Sequence, residues 1–442
     1  MLTAEENHRL TRVGADTPMG RVLRRYWLPA LSSAELEAGG APKAVRLLGE
    51  DLVAFRGADG HVGVMEAACP HRGASLVIAR NEDCALQCLY HGWKIAPDGR
   101  ILDMPAEPEN SRYAERIRQI AYRVHEAGSL VWVYMGPPEY EPEFPAWDWT
   151  DKPAEQILVL KAIADCNWVQ CLEGAIDSAH QTYLHDSRSR NERDLAYAQW
   201  ADEKGLDPTD GFDGTGQIVR PWADGRPRLE VEDTSYGFWY AAIRKPLFKE
   251  DQFKNVRVTH FVAPFHAAIP SPAGWSQLIM HVPVDDVTTA FYHVRCNLDA
   301  PYDDETRAVH TEAAGLVPGR DIDGEFRRVA NKSNLWLQDR EEMKRDRFSG
   351  IRGTVTEDHA VQESMGPIYD RTREHLATSD LAVIRMRRLL LQSLRRFESG
   401  EAPIGLTAPV PYASIRGEER TVPVDQPWQT VGRVLDETAG PA

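Results

Sequence analysis

The sequence predicts an α+β chain: a small all-β domain followed by a larger domain built on an antiparallel sheet with helices. Three observations carry that expectation. A series of short apolar strands begins at Ala44 and reaches Gly136. A segment holding Pro137, Pro138, Pro142 and Pro145 then reads as an extended linker. Beyond it lie several more strands joined by short turns, which favours antiparallel pairing, and a helix over 379–400 with apolar residues at helical spacing.

In order, residues 1–43 are expected to be a helical segment packing on the larger domain, with short helices at 5–12 and 18–26. Residues 44–136 form the small β domain: "AVRLLGEDLVAFRGADGHVGVMEA" gives three strands and "GSLVWVYMG" another. Residues 137–150 are the linker and 151–442 the larger domain. There "ILVLKAIAD" reads as a strand, about 167–185 as a helix, and 187–227 as a charged loop with partial helix. The strands "RLEVEDT", "YGFWYAAIRK", "VRVTHFVA", "WSQLIMHVPV" and "TAFYHVRCNLD" follow.

A chain of 442 residues is too long for one ordinary domain, and 42% apolar with 27% charged residues suits a soluble globular protein. No apolar run approaches the roughly 18 residues of a membrane span, and the opening "MLTAEENHRL" is charged, so the expected location is cytoplasmic with no membrane partner. The formal charge of −16 disfavours nucleic acid. It still permits a small anionic substrate, because one buried arginine outweighs distant, screened surface charge. The six cysteines, Cys69, Cys84, Cys88, Cys166, Cys171 and Cys296, are too sparse and uneven for a disulfide framework, which directs attention to metals.

Cys69-Pro70-His71 and Cys88-Leu89-Tyr90-His91 lie sixteen residues apart in the small domain. Two thiolates and two imidazoles allow either a structural zinc or a Rieske [2Fe–2S] cluster, in which two Cys hold one iron and two His the other. Strands flank both pairs, and Pro70, Gly73 and "YHGWK" suit two tight loops closing over a cluster. Cys84 lacks a matching histidine and reads as a free thiol.

The stretch "IDSAHQTYLHD" holds Asp177, His180 and His185. On a continuous helix Asp177 and His180 share a face, whereas His180 and His185 lie about 140° apart. Both histidines reach one metal only if the helix ends or bulges there. Alone, that spacing is a weak signal.

"CPHRG" with "CLYHGW" resembles the Rieske motif of ring-hydroxylating oxygenase large (alpha) subunits. The opening "LTRVGADTPMGRVLRRYWLPA" and "VRLLGEDLVAFR" are similar to the phthalate dioxygenase-like branch. The resemblance covers nearly the whole chain and is weakest over 187–227. It implies a helix-grip (START-like) catalytic domain, with an antiparallel sheet and helices on one side, enclosing a mononuclear non-haem iron.

By that resemblance "NWVQCLEGAIDSAHQTYLH" is the iron motif, with His180 and His185 as ligands. Asp177 is then a bridge between His180 and His91 of the partner subunit. The third ligand is Asp358, in the pattern Glu357-Asp358-x-x-Val361-x-Glu363, with Asp339 as the runner-up. His359 is expected to be a supporting or surface group.

Alternation along "YGFWYAAIRK" puts Phe238, Tyr240, Ala242 and Arg244 on one face. Arg244 is the candidate carboxylate clamp, with Ser178 as a further donor; the competing reading is a surface ion pair at a strand end. Arg226 and Arg228 flank the preceding strand.

The implied protein is the terminal oxygenase of a multicomponent system. It uses O2 and electrons from a separate NAD(P)H-dependent reductase, with or without a ferredoxin-type donor, to hydroxylate an aromatic substrate such as an aryl carboxylate. It holds a Rieske [2Fe–2S] cluster and a mononuclear Fe(II), binds no flavin or NAD itself, and assembles as a homotrimer or hexamer. The alternatives are an O-demethylase of a methoxylated aromatic acid and, in a different class, a Rieske electron carrier or redox sensor.

Overall fold

The structure, a computed structural model, describes residues 1–108, 110–203 and 224–432. It divides into two compact units. Helix α1 (Ala4–Thr11) belongs to the larger one, and α2 (Pro18–Leu23) opens the smaller, which spans Arg12–Phe144 with Pro283–Asp286.

The smaller unit consists of three antiparallel sheets. β1 (Trp27–Ser32) pairs with β10 (Leu130–Tyr134), which pairs with β9 (Arg123–Ala127). β2 (Lys43–Leu47), β3 (Glu50–Arg56) and β4 (Val62–Glu66) form the second. β5 (Arg80–Glu82), β6 (Ala85–Gln87), β7 (Lys94–Ile95) and β8 (Ile101–Asp103) form the third. Inward residues Val53, Phe55, Met65, Leu86, Trp93 and Ile95 make a core that also encloses Cys69 and Cys88.

The expected helical segment over 1–43 is corrected here. Helices occupy only Ala4–Thr11 and Pro18–Leu23; "WLPALS" is a buried edge strand whose apolar run completes the β10 sheet. Residues from Arg12 onward cluster with the small β unit, and only Met1–Thr11 with the larger.

The larger unit is built on one eight-stranded sheet. Its strands are β11 (Ile157–Ala164), β12 (Arg228–Thr234), β13 (Gly237–Arg244), β14 (Phe253–Val262), β15 (His266–Ala268), β16 (Trp275–Pro283), β17 (Thr289–Asn297) and β18 (Glu418–Pro423). The order is β11-β17-β16-β15-β14-β13-β12, with β18 added to β14. Between and beyond the strands lie α3 (Trp168–Ile176), α4 (Arg188–Glu203), α5 (Asp304–Ala314), α6 (Arg340–Arg345), α7 (Thr354–Ser364) and α8 (Leu381–Glu398).

Helix α3 packs across β14 and β15 with α7 and α8 beside it, and α8 crosses β12 and β13. Short β15 and the late strand β18 carry no clear signature of their own. Part of the segment read as a loop, 188–203, is helix α4; the rest of that expectation, 204–223, lies outside the described residues.

A buried charge cluster ties α3 to the C-terminal helices. Glu173 accepts two bonds from Arg371, at 2.9 and 3.0 Å, and one from Arg387 at 2.6 Å; Arg387 also pairs with Glu374. Removing the shared acid leaves buried Arg371 without its carboxylate partner and Arg387 with Glu374 alone. Glu173→Ala is therefore expected to destabilise the protein by about 3–5 kcal/mol in denaturant unfolding. Glu341→Ala, which removes only an exposed pair with Lys344, should leave the midpoint unchanged.

Candidate metal centres

Two loops of the smaller unit repeat one construction. The Cys69 amide donates to the Ala74 carbonyl at 2.8 Å and the Gly73 amide returns to the Cys69 carbonyl at 2.9 Å. In the second loop Cys88 donates to Trp93 at 2.9 Å and Gly92 returns to Cys88 at 3.0 Å. Both glycines sit at φ 74°, left-handed geometry that suits a residue without Cβ.

The loops bring both sulfurs inside, each 3% exposed, while His71 lies toward the surface. The His71 and His91 rings are 4.5 Å apart, and Trp93 stacks on His71 at 4.6 Å. Burial, then the adjacent Cys88 thiol, pushes the Cys69 pKa up to about 11. The buried His91 Nδ1 has no hydrogen-bond partner.

This donor set fits a metal group. Elsewhere, His180, His185 and Asp358 each place a ligand atom within 4.8 Å of the others. A thiolate pair inside and an imidazole pair outside suits a two-iron cluster better than one tetrahedral zinc.

The second centre forms where α3 stops. Asn167 caps its start, accepting from the Val169 amide at 3.1 Å, and the helix ends at Ile176. The Tyr240 hydroxyl takes up the Ile176 carbonyl at 2.5 Å. Asp177 is extended (φ −85°, ψ 122°), and His180 begins a short 3-10 turn. The break overrides the 140° mismatch of a straight helix. Gly174 lets α3 approach α7 closely, because a Cβ there would run into the Gln362 amide.

Asp358, the fifth residue of α7, completes the set. Its Oδ1 lies 3.5 Å from His180 Nε2 and 3.1 Å from His185 Nε2. Each histidine is oriented from its other nitrogen. His180 Nδ1 faces Asp177 Oδ2 at 3.2 Å, and His185 Nδ1 faces Glu357 Oε2 at 2.7 Å. Asp177 also accepts from the Ala179 amide at 2.7 Å, and Glu357 from the Ser349 hydroxyl at 2.5 Å.

Burial opposes charge on Asp358 and Asp177. Their histidine partners, with the loop amides for Asp177, nevertheless hold both below the usual carboxylate range. Burial likewise opposes protonation of His185, but Asp358 and Glu357 outweigh it and push its pKa up to about 9. Two imidazoles and the Asp358 carboxylate suit a divalent cation, and a further carboxylate holds each imidazole from its other nitrogen.

Glu357 is the residue that sequence reasoning missed. Its signal was the acidic pair itself, whose two members approach opposite nitrogens of one ring. Asp339, the runner-up ligand, instead caps α6, accepting from the Glu341 and Glu342 amides at 2.8 and 3.0 Å. His359 is 1% exposed and held against Arg328, so the surface reading fails.

The structure places the two residues of the expected clamp, Arg244 and Ser178, against one another. Arg244 is buried, and its Nη2 donates to the Ser178 carbonyl at 2.6 Å and hydroxyl at 3.2 Å, so it secures the turn after Asp177. Neither residue lines the cavity of about 210 Å³ that opens on His180, His185 and Asp358. Arg228 pairs with exposed Glu230. Among the described residues, the arginines of the cavity wall are Arg190, Arg193, Arg257 and Arg295.

Comparison with known proteins agrees with both centres. Residues 26–121 match the Rieske [2Fe-2S] domain model, and residues 133–441 match the LigXa C-terminal domain like model. The phthalate 4,5-dioxygenase oxygenase subunit of Pseudomonas putida is 43% identical over 92% of this chain and 89% of its own length. The chain belongs to the Rieske non-haem iron oxygenases.

The 3-chlorobenzoate-3,4-dioxygenase oxygenase subunit of Comamonas testosteroni is 36% identical, covering 97% of this chain and 98% of that protein. The 5,5'-dehydrodivanillate O-demethylase oxygenase subunit of Sphingobium sp. is 30% identical over 91% and 83%. Among solved structures, the Pseudomonas putida CBB5 NdmA QL mutant with theobromine shares the fold at TM-score 0.58 and 19% identity, over 88% of this chain and 96% of that one.

This Rieske oxygenase subunit is thus an aromatic oxygenase carrying a [2Fe–2S] cluster and a mononuclear iron. No helix among its described residues is long and apolar enough to cross a membrane.

Asp358→Ala should remove the mononuclear iron and spare the cluster, read by metal analysis against the cluster's visible absorbance. Glu357→Gln should weaken that iron by about 10- to 100-fold. Asp339→Ala should keep both metals and lose only a helix cap, about 1 kcal/mol.

Proposed function

We propose that this subunit is the terminal oxygenase acting on an aryl carboxylate. In this reading Cys69, His71, Cys88 and His91 hold the cluster, and His180, His185 and Asp358 hold the mononuclear iron. The observation that carries the substrate class is a small cavity that opens on the His180–His185–Asp358 set and has arginines in its walls. An electron carrier needs no such cavity. The names of the phthalate and chlorobenzoate relatives support the same class.

Bound in that site, the iron supplies the redox chemistry that activates dioxygen. The chain's own residues divide the remaining work. Asp177 and Glu357 fix the ring orientation of His180 and His185 and keep Nε2 available toward the metal. Phe291, Ile279 and Leu160 give the cavity an apolar wall for an aromatic ring and exclude water from it.

Asp177 has a second role in this proposal. Its side chain is 24% exposed, enough to accept a hydrogen bond from His91 of the partner subunit. That bridge implies a head-to-tail trimer, stacked or not into a hexamer. A separate reductase feeds the cluster. Six free cysteines fit a reducing, cytoplasmic setting.

Mass spectrometry with a reductase, labelled dioxygen and a panel of aryl carboxylates and methoxyarenes tests the activity. Label in a hydroxylated aryl acid is the expected product. Formaldehyde release from methoxy acids alone would instead assign O-demethylation, and oxygen uptake with none of them would overturn the substrate class.

Asp177→Asn should retain both metals while turnover falls about 100-fold or more. Unchanged turnover in that variant would remove the bridging role.

A further inference from the structure

Helix α3 begins beside a pair of thiols that neither metal centre uses. Cys166 lies between the end of β11 and the Asn167 cap, and Cys171 lies within the helix, five residues on. Their sulfurs are 3.5 Å apart, in hydrogen-bond contact, and both residues are fully buried. Ala164 packs with them, and the Thr289 hydroxyl donates to the Cys166 carbonyl at 2.7 Å.

The pair is tied to the wall of the cavity that opens on His180, His185 and Asp358. Gly174 and Ala175 line that cavity. They stand three and four residues after Cys171, on the same face of α3. The His281 side chain donates to Cys171, and its ring lies 5.6 Å from that of Phe291, another residue of the wall. The sulfurs thus share a helix and a histidine neighbour with the cavity wall.

The two thiols differ in how readily they ionise. Burial opposes charge on Cys171, but the bond from Cys166 and then His281 outweigh it and lower its pKa below the ordinary thiol value. The same bond, with burial, pushes Cys166 up, so Cys166 is the donor and Cys171 the readier thiolate. Cys296 shows the contrast: burial and then Asp148 push its thiol up to about 12, which keeps it protonated.

We propose that Cys166 and Cys171 are an oxidation site, a dithiol that hydrogen peroxide converts reversibly to a disulfide. Peroxide is the two-electron reduction product of dioxygen, and it is small and neutral. The Cys171 sulfur attacks one peroxide oxygen: the S–O bond forms, the O–O bond breaks, and the departing hydroxide takes the thiol proton as water. The Cys166 sulfur then displaces hydroxide from that sulfenic acid. The S–S bond forms, the S–O bond breaks, and the Cys166 proton leaves in a second water. Two electrons pass from the two sulfurs to one peroxide. The sulfurs need to approach by only about 1.5 Å, within the reach of side-chain rotation. The product fastens the start of α3 to the chain leaving β11, at the end of the helix opposite the metal loop.

The test uses the metal-loaded subunit without its reductase, treated with a molar excess of hydrogen peroxide and then unfolded in an alkylating agent. Trypsin, cutting after Lys161 and Arg188, releases residues 162–188 as one peptide that holds Cys166, Cys171 and no other cysteine. By mass spectrometry that peptide should be unalkylated and two hydrogens lighter. After dithiothreitol it should take up two alkyl groups. In Cys166→Ala the same peptide should instead carry added oxygen on Cys171, as sulfenic or sulfinic acid.

Two alkylatable thiols remaining in the peptide of the treated wild-type protein would overturn the proposal. Sulfinic acid at Cys171 of the wild-type protein, with no disulfide, would overturn it as well. Both of these outcomes are read from the wild-type chain, so the test stands even if the alanine variant does not fold.

Discussion

The site depends on where one helix stops. If α3 ran on past Ile176, His180 and His185 would point about 140° apart and share no ligand. The stop is imposed from the sheet: Tyr240 takes the terminal carbonyl of α3, and Arg244 takes the carbonyl and hydroxyl of Ser178. Asp177 then accepts the amides of the following turn, so one carboxylate both shapes the loop and orients His180.

Packing supplies the other half of the site. Helix α7 presents Glu357 from its first turn, where the helix dipole favours negative charge, and Asp358 directly after it. The close approach of α3 and α7 at Gly174 brings those acids to the histidines. The His185 ring is thereby held between consecutive residues of one helix, one facing each nitrogen. Buried carboxylates in this number are costly unless a cation compensates them, so metal binding and local order are coupled.

Much of this was legible in the sequence, for identifiable reasons. The two Cys–His pairs sit at short range in two tight turns, so their spacing alone pointed to a metal group. His180 and His185 were readable as ligands only because the motif resembles a known one, and the helix break that unites them left no local mark. Asp358 was favoured over Asp339 on pattern; the structure separates the two by partner, one beside the histidines and one on the α6 amides. The acidic pair was read only for Asp358, and the contacts of Glu357 with His185 and of Arg244 with Ser178 went unread, since each joins elements distant in the chain. The same holds for β18, which pairs with β14 across a long separation, and for β1, whose buried apolar run was read as the end of a helical segment.

The central claim is that one chain carries two chemically distinct iron environments, Cys–His on one unit and His–His–carboxylate on the other. Mössbauer spectroscopy of the reduced, ⁵⁷Fe-loaded subunit tests it most directly. The account predicts a coupled two-iron component with inequivalent Cys- and His-ligated sites, together with a separate high-spin ferrous component at half its total iron. A spectrum with the cluster alone in a fully loaded protein, or zinc in place of the cluster, would contradict it.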